Sequence, residues 1–153
     1  MIHTQAMIWI ALLGLFHSAS NAAENTPAIR DAWIREAPPN AQILAGYAQI
    51  DNPTQQAHAI VAVSSDVFEK AEFHHSTVKD GVAHMTQVKH LDLPPGQLVK
   101  LEPGGTHIML FKPKSPLRAG QHVLLRFTLS NGKTLHVNAD VRNTLKPSES
   151  HTH

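Results

Sequence analysis

The sequence predicts an all-β domain, a sandwich or barrel of short strands. Nine or so short runs rich in β-branched and apolar residues alternate with turn chemistry about every eight to twelve residues. No stretch sustains a helical hydrophobic period, and 10 prolines break the chain too often for long helices. Asn131-Gly132 between two apolar runs is the strongest short hairpin signal in the chain.

The strands are expected in this order. Ile29 to Arg35 ends at Ala37-Pro38-Pro39-Asn40, and Leu44 to Asp51 closes at Asn52-Pro53. Ala57 to Val63 follows, rich in β-branched and small apolar residues. Val67 to His75 and Val82 to Leu91 flank the turn signal Asp80-Gly81. Gln97 to Leu101 lies between Pro94-Pro95-Gly96 and Pro103-Gly104-Gly105, and His107 to Phe111 is short and apolar. Gln121 to Leu129 and Thr134 to Val141 form the last hairpin.

Both ends of the chain differ from this pattern. Ala6 to Phe16 is an eleven-residue apolar run, followed by Ser18-Ala19-Ser20-Asn21-Ala22-Ala23. That is the signature of a signal peptide over residues 1–23, cut near Ala22 or Ala23, and it is too short to span a bilayer. Export follows, to the periplasm in a Gram-negative cell, with no membrane segment in the mature chain. Residues 24–144 are expected to form a single domain, and 145–153 a flexible polar tail ending Ser150-His151-Thr152-His153.

Composition excludes several functions. Lys plus Arg (13) nearly balances Asp plus Glu (12), so there is no basic footprint for nucleic acid. With no cysteine there is no disulfide, no thiol nucleophile, no Cys-ligated zinc and no blue-copper centre. No serine elbow, phosphate loop or carboxylate pair indicates an enzyme.

What stands out is 12 histidines and two methionines, Met85 and Met109, beyond the apolar N-terminal run. Each methionine has a histidine close by: His74 and His84-Met85 around the Asp80-Gly81 turn, and His107-Ile108-Met109. Imidazole with thioether suits copper, above all Cu(I). His107 and Met109, two apart on a strand, share a face. A two-residue turn at Asp80-Gly81 sets Met85 opposite Ser76 and diagonal to His74, and turns His75 and His84 to the other face. The candidate ligands are therefore His74, Met85, His107 and Met109, with His75 and His84 secondary. His151 and His153 are candidates for a second, Cu(II), site in the tail. Each side chain alone has a plainer role, Met as core filler and His as a surface group. His58, His90, His122 and His136 have no thioether near them in sequence and are read as surface residues.

The spacing His74-x10-Met85-x21-His107-x-Met109 resembles that of the periplasmic copper chaperones called PCuAC. So do Ala32-Trp33-Ile34-Arg35, Ala71-Glu72-Phe73-His74, and Leu101-Glu102-Pro103-Gly104-Gly105-Thr106-His107-Ile108-Met109-Leu110. The family often has Glu or Met after its first histidine ligand, where this chain has His75. The resemblance, from about Pro27 to Val141, implies a cupredoxin-like Greek-key β-sandwich that binds one Cu(I). It also implies delivery of copper to the oxidase, chiefly the CuA centre of cytochrome c oxidase, often alongside a Sco-type protein. The partner is expected to be subunit II of that oxidase or a Sco-type copper protein, and the chain itself a monomer. The competing reading is a periplasmic store or sensor that takes Zn or Cu(II) through its histidines. A metal-free β-sandwich binding module is the third.

Overall fold

The computed structural model describes residues 26–144, and every regular element in that range is a strand. The strands are β1 (Ala28–Arg35), β2 (Ile43–Asp51), β3 (His58–Ser64), β4 (Phe68–Lys79) and β5 (Val82–Val88). β6 (Leu91–Leu93), β7 (Leu98–Leu101), β8 (Thr106–Pro113), β9 (His122–Leu129) and β10 (Thr134–Arg142) complete the set. The segments expected at residues 1–23 and 145–153, with His151 and His153, lie outside the described residues. No helix among the described residues is long and apolar enough to cross a membrane.

All ten strands join one hydrogen-bonded sheet in the order β5-β4-β8-β2-β1-β10-β9-β3-β6, with β7 also on β2. β1 and β10 run parallel, and the other pairs are antiparallel. The sheet folds over on itself, so β3 touches β4 and a single core fills the interior. This is the all-β architecture that the sequence predicts, of the cupredoxin-like kind that the resemblance implies. Strand alternation builds it. Ala32 and Ile34 of β1, Leu44, Ala48 and Ile50 of β2, Ile108 and Leu110 of β8, and Leu125, Phe127 and Leu129 of β9 point inward.

One expected strand divides in two. The run from Val82 to Leu91 ends as β5 at Val88, and Leu91–Leu93 starts a separate strand on β3, at the far edge of the sheet. Alternation explains the break: Leu91 and Leu93 are buried, whereas Val82 to Gln87 are all exposed. A continuous β5 would take both leucines away from the core.

A second feature hidden in the sequence is Asn52, which is 0% exposed. Its Nδ2 donates to the carbonyls of Gln56, Leu93 and Pro94, and its Oδ1 accepts from the Thr54 N–H and hydroxyl. One side chain thus ties the β2–β3 loop to β6. Asn52-Pro53 reads in sequence only as a turn.

Candidate metal centre

The centre lies on the outer face of the sheet, where β5, β4, β8 and β2 run side by side. β4 and β5 are joined by Asp80-Gly81, both in the left-handed region at φ 52° and 77°. Two consecutive positive φ values make the turn type I′, which matches the strand twist and leaves no slack in register. Ser76 therefore pairs with Met85, and Thr77 with His84, as the sequence predicts. On the other side of β4 the register pairs His74 with His107 and Glu72 with Met109. In turn β2 sets Ala45 beside Met109.

These ladders place His74, Met85, His107 and Met109 on one face, with Glu72 among them. Phe73, Ile108 and Leu110 occupy the opposite, buried face. His75 and His84 also point that way, but on the part of the hairpin that stands clear of the core, so both are exposed. His75 Nδ1 lies 2.9 Å from the Thr106 hydroxyl.

His74 and His107 are direct cross-strand partners with ring centroids 6.4 Å apart. His107 is only 5% exposed, although it faces outward. The Tyr47 ring covers one side of it, at 6.4 Å between centroids, and Trp33 lies against Tyr47 at 4.4 Å. A one-residue bulge between Arg30 and Trp33 turns Trp33 outward, and the Arg35 and Arg142 guanidiniums lie over Tyr47 and Trp33. Phe111 flanks His74 on the other side, at 6.4 Å. The two imidazoles thus stand in an aromatic trough.

Each imidazole has one nitrogen engaged. His107 Nδ1 is 3.1 Å from the Gly105 carbonyl, which also accepts the Ser76 N–H. His74 Nε2 is 3.0 Å from Glu72 Oε2, and the other carboxylate oxygen holds Lys70 at 2.9 Å. The His74 hydrogen bond, then Lys70, holds the Glu72 carboxyl below the usual carboxylate range.

The methionines are placed unequally. Met109 is half-buried one step along β8 from His107. Met85 is 54% exposed on the hairpin, where β5 forms the edge of the sheet beside β4 among the described strands. Both methionines are diagonal to His74, about 7–8 Å away. From each other they lie four residues along and two strands across, about 16 Å between Cα atoms on ideal sheet spacings. Two imidazoles and one thioether are therefore gathered, and the fourth donor sits on a hairpin that must curl toward β8 to join them. Among the described residues, no three His, Cys, Asp or Glu side chains converge as a metal site by themselves. Any centre here depends on the thioethers, and a soft donor set of that kind suits Cu(I).

Sequence reasoning on ligands alone omits Glu72, Tyr47 and the Gly105 carbonyl. Glu72 carries a readable signal, since it stands two residues before His74 on the same strand. Tyr47 carries none, because its place beside His107 depends on the β2–β8 register.

A model of the LpqE-like family, which describes lipoproteins, matches residues 27–141. The chain is similar to a protein of Leifsonia xyli subsp. xyli named as a lipoprotein, Lxx21020. The two are 29% identical over 115 residues, 74% of this chain and 68% of that one. Its fold matches the copper-bound PCuAC domain from PmoF2 with TM-score 0.66 at 19% identity, over 77% of this chain and 93% of that domain. It also matches the solution structure of Cu(I)-bound DR1885 from Deinococcus radiodurans. There the TM-score is 0.64 at 25% identity, over 84% of this chain and 85% of the other.

Proposed function

The chain belongs to the LpqE-like family, and from that footing we propose that it is a periplasmic copper(I) carrier. Its cargo ion is held by His74, Met85, His107 and Met109, and its receiver is a respiratory oxidase. The receiver takes copper at the CuA site of cytochrome c oxidase subunit II, directly or through a Sco-type protein. The carrier works as a monomer without catalysing a reaction, and the His151-Thr152-His153 tail offers a second site to Cu(II).

The observation that carries this reading is the pairing of His74 with His107 on the same face as Met109 and Met85. Two neutral imidazoles and two thioethers add no negative charge, so they favour a soft monovalent ion over harder divalent ones. They also avoid thiolates, which an oxidising compartment converts to disulfides. The similarity to domains described as copper-bound and Cu(I)-bound supports the same cargo.

Release is the second requirement of a carrier. His107 is fixed beneath Tyr47, whereas Met85 is exposed at the sheet edge. A receiver's ligands can displace Met85 first and then take the ion from the more rigid pair, which lowers the barrier to stepwise exchange.

X-ray absorption on the chain loaded with one equivalent of Cu(I) tests this. The expected shell holds about two sulfur and two nitrogen scatterers. A shell of nitrogen and oxygen alone would transfer the centre to the histidines and favour the store or sensor of Zn or Cu(II).

A further inference from the structure

We propose that Glu72 is a positioning residue for this centre. It holds His74 as the Nε2–H tautomer, so that His74 offers Nδ1 to copper while His107 offers Nε2. The inference rests on the reading of His74 and His107 as ligands and adds which nitrogen of each ring binds.

A carboxylate and a backbone carbonyl can only accept hydrogen bonds. Glu72 Oε2 lies 3.0 Å from His74 Nε2, so that nitrogen carries the hydrogen and the ring's lone pair is on Nδ1. Gly105 O lies 3.1 Å from His107 Nδ1, so the opposite assignment holds there and the lone pair is on Nε2. The pairing is built into the ladder. Glu72 stands directly across from Met109 and one same-face step from His74, which places its carboxylate at the rim of the donor cluster. Lys70 takes the second oxygen at 2.9 Å and itself lies over the Phe111 ring, so the carboxylate is anchored from behind.

Glu72 is placed as a support for a ligand and not as a ligand itself. Both of its oxygens are engaged, and a hard carboxylate is a poor match for Cu(I). Metal-binding histidines usually donate their second ring N–H to a carboxylate or a carbonyl, which fixes the ring and raises its basicity. This centre uses one of each. The carbonyl belongs to the backbone, which leaves Glu72 as the support that substitution can remove.

Long-range 1H–15N correlation on the metal-free chain reads the tautomer directly. Wild type is expected to show His74 as Nε2–H and His107 as Nδ1–H. Glu72→Ala should lose the fixed His74 tautomer while His107 keeps its own. Cu(I) affinity by chelator competition should then fall about 10- to 100-fold, the usual cost of a lost supporting partner. Glu72→Gln keeps an acceptor oxygen and should restore both readouts most of the way. A wild-type His74 in the Nδ1–H form overturns the proposal. So does a Glu72→Ala variant that binds Cu(I) more tightly, since Glu72 would then compete with the ion for Nε2. His74→Ala separates the two levels. Unchanged affinity there removes the ligand reading itself, whereas a loss there with none in Glu72→Ala removes only the role of Glu72.

Discussion

His74 and His107 face each other across the β4–β8 ladder with ring centroids 6.4 Å apart and planes inclined at 34°. One ion held by two opposed imidazole nitrogens at about 2 Å each sets the nitrogens about 4 Å apart and the ring centres about 6 Å apart. On the proposed ligand set, the 6.4 Å between ring centres is close to what such a two-nitrogen clamp requires. The β4–β8 register sets the two residues opposite each other, and the Glu72, Gly105, Tyr47 and Phe111 contacts hold the rings, so the proposed ion would find both side chains already ordered.

The two methionines should separate binding from stability. Met85→Ala removes an exposed side chain from a hairpin clear of the core, so its unfolding free energy should stay within about 0.5 kcal/mol of wild type. Met109→Ala removes a half-buried side chain beside Ala45 and should cost about 1–2 kcal/mol. Cu(I) affinity should fall in both. Denaturant titration with chelator competition checks this, and unchanged Cu(I) affinity in both variants ends the four-ligand reading.

The hairpin register of the site was legible in residues 74–85 because two local rules agree there. Asp80-Gly81 is a turn only a narrow set of geometries can satisfy, and strand alternation converts that turn into faces. The pairing of Ser76 with Met85 follows. His107 and Met109 were readable for the same reason. What could not be read was which strand lies beside which. The contact of His74 with His107 spans thirty-three residues of sequence, and Tyr47 reaches the site only because β2 lies beside β8. Such pairings are set by how the whole sheet closes, and no local period encodes them. The break between β5 and β6 escaped for a related reason: Val88 and Leu91 are both apolar, and only their partners on different strands separate them.

Gly46 should prove intolerant although it touches no ligand. A Cβ there would lie 3.3 Å from Leu110 Cδ1 and 3.4 Å from Ile108 Cβ. Gly46→Val pushes branched methyls into that contact, and overpacking of this kind costs about 1–3 kcal/mol. Gly46 pairs with Ile108, between His107 and Met109, so strain there shifts both donors. We expect a lower unfolding midpoint together with weaker Cu(I) binding. A stable variant with normal affinity would mean β8 is not held by this approach.

Asn52 should be a costly polar position to change, since its side chain is fully buried and bonded both within the β2–β3 loop and to β6. Asn52→Ala takes the amide donor from the buried bond to the Leu93 carbonyl and the part-buried one to Pro94, at about 1–3 kcal/mol for a buried group left unsatisfied. Asn52→Asp should be worse, because a carboxylate would face the carbonyl oxygens of Gln56, Leu93 and Pro94 with nothing to donate. Chemical denaturation of the two variants gives the order, and an Asp variant as stable as wild type would refute the donor role.

Acid should weaken the fold through carboxylates that lie away from the metal centre. Arg126 bonds the Asp66 carboxylate through both guanidinium nitrogens and holds its pKa below the usual range. Arg142, then His122, does the same for Asp140. A carboxyl whose pKa is lower folded than unfolded favours the native state fully above the unfolded value, about 3.9 for Asp. Its contribution disappears as pH falls through the depressed folded value, because the unfolded chain takes up the proton first. Stability should therefore be flat with respect to these groups from neutral pH down to about pH 5 and decline below about pH 4. Asp66→Asn removes one titrating group from the native ion pairs, so it should lower stability at neutral pH and make the acid decline shallower. Thermal unfolding of wild type and variant across that range decides it, and an acid limb of equal steepness in both would remove Asp66 from the account.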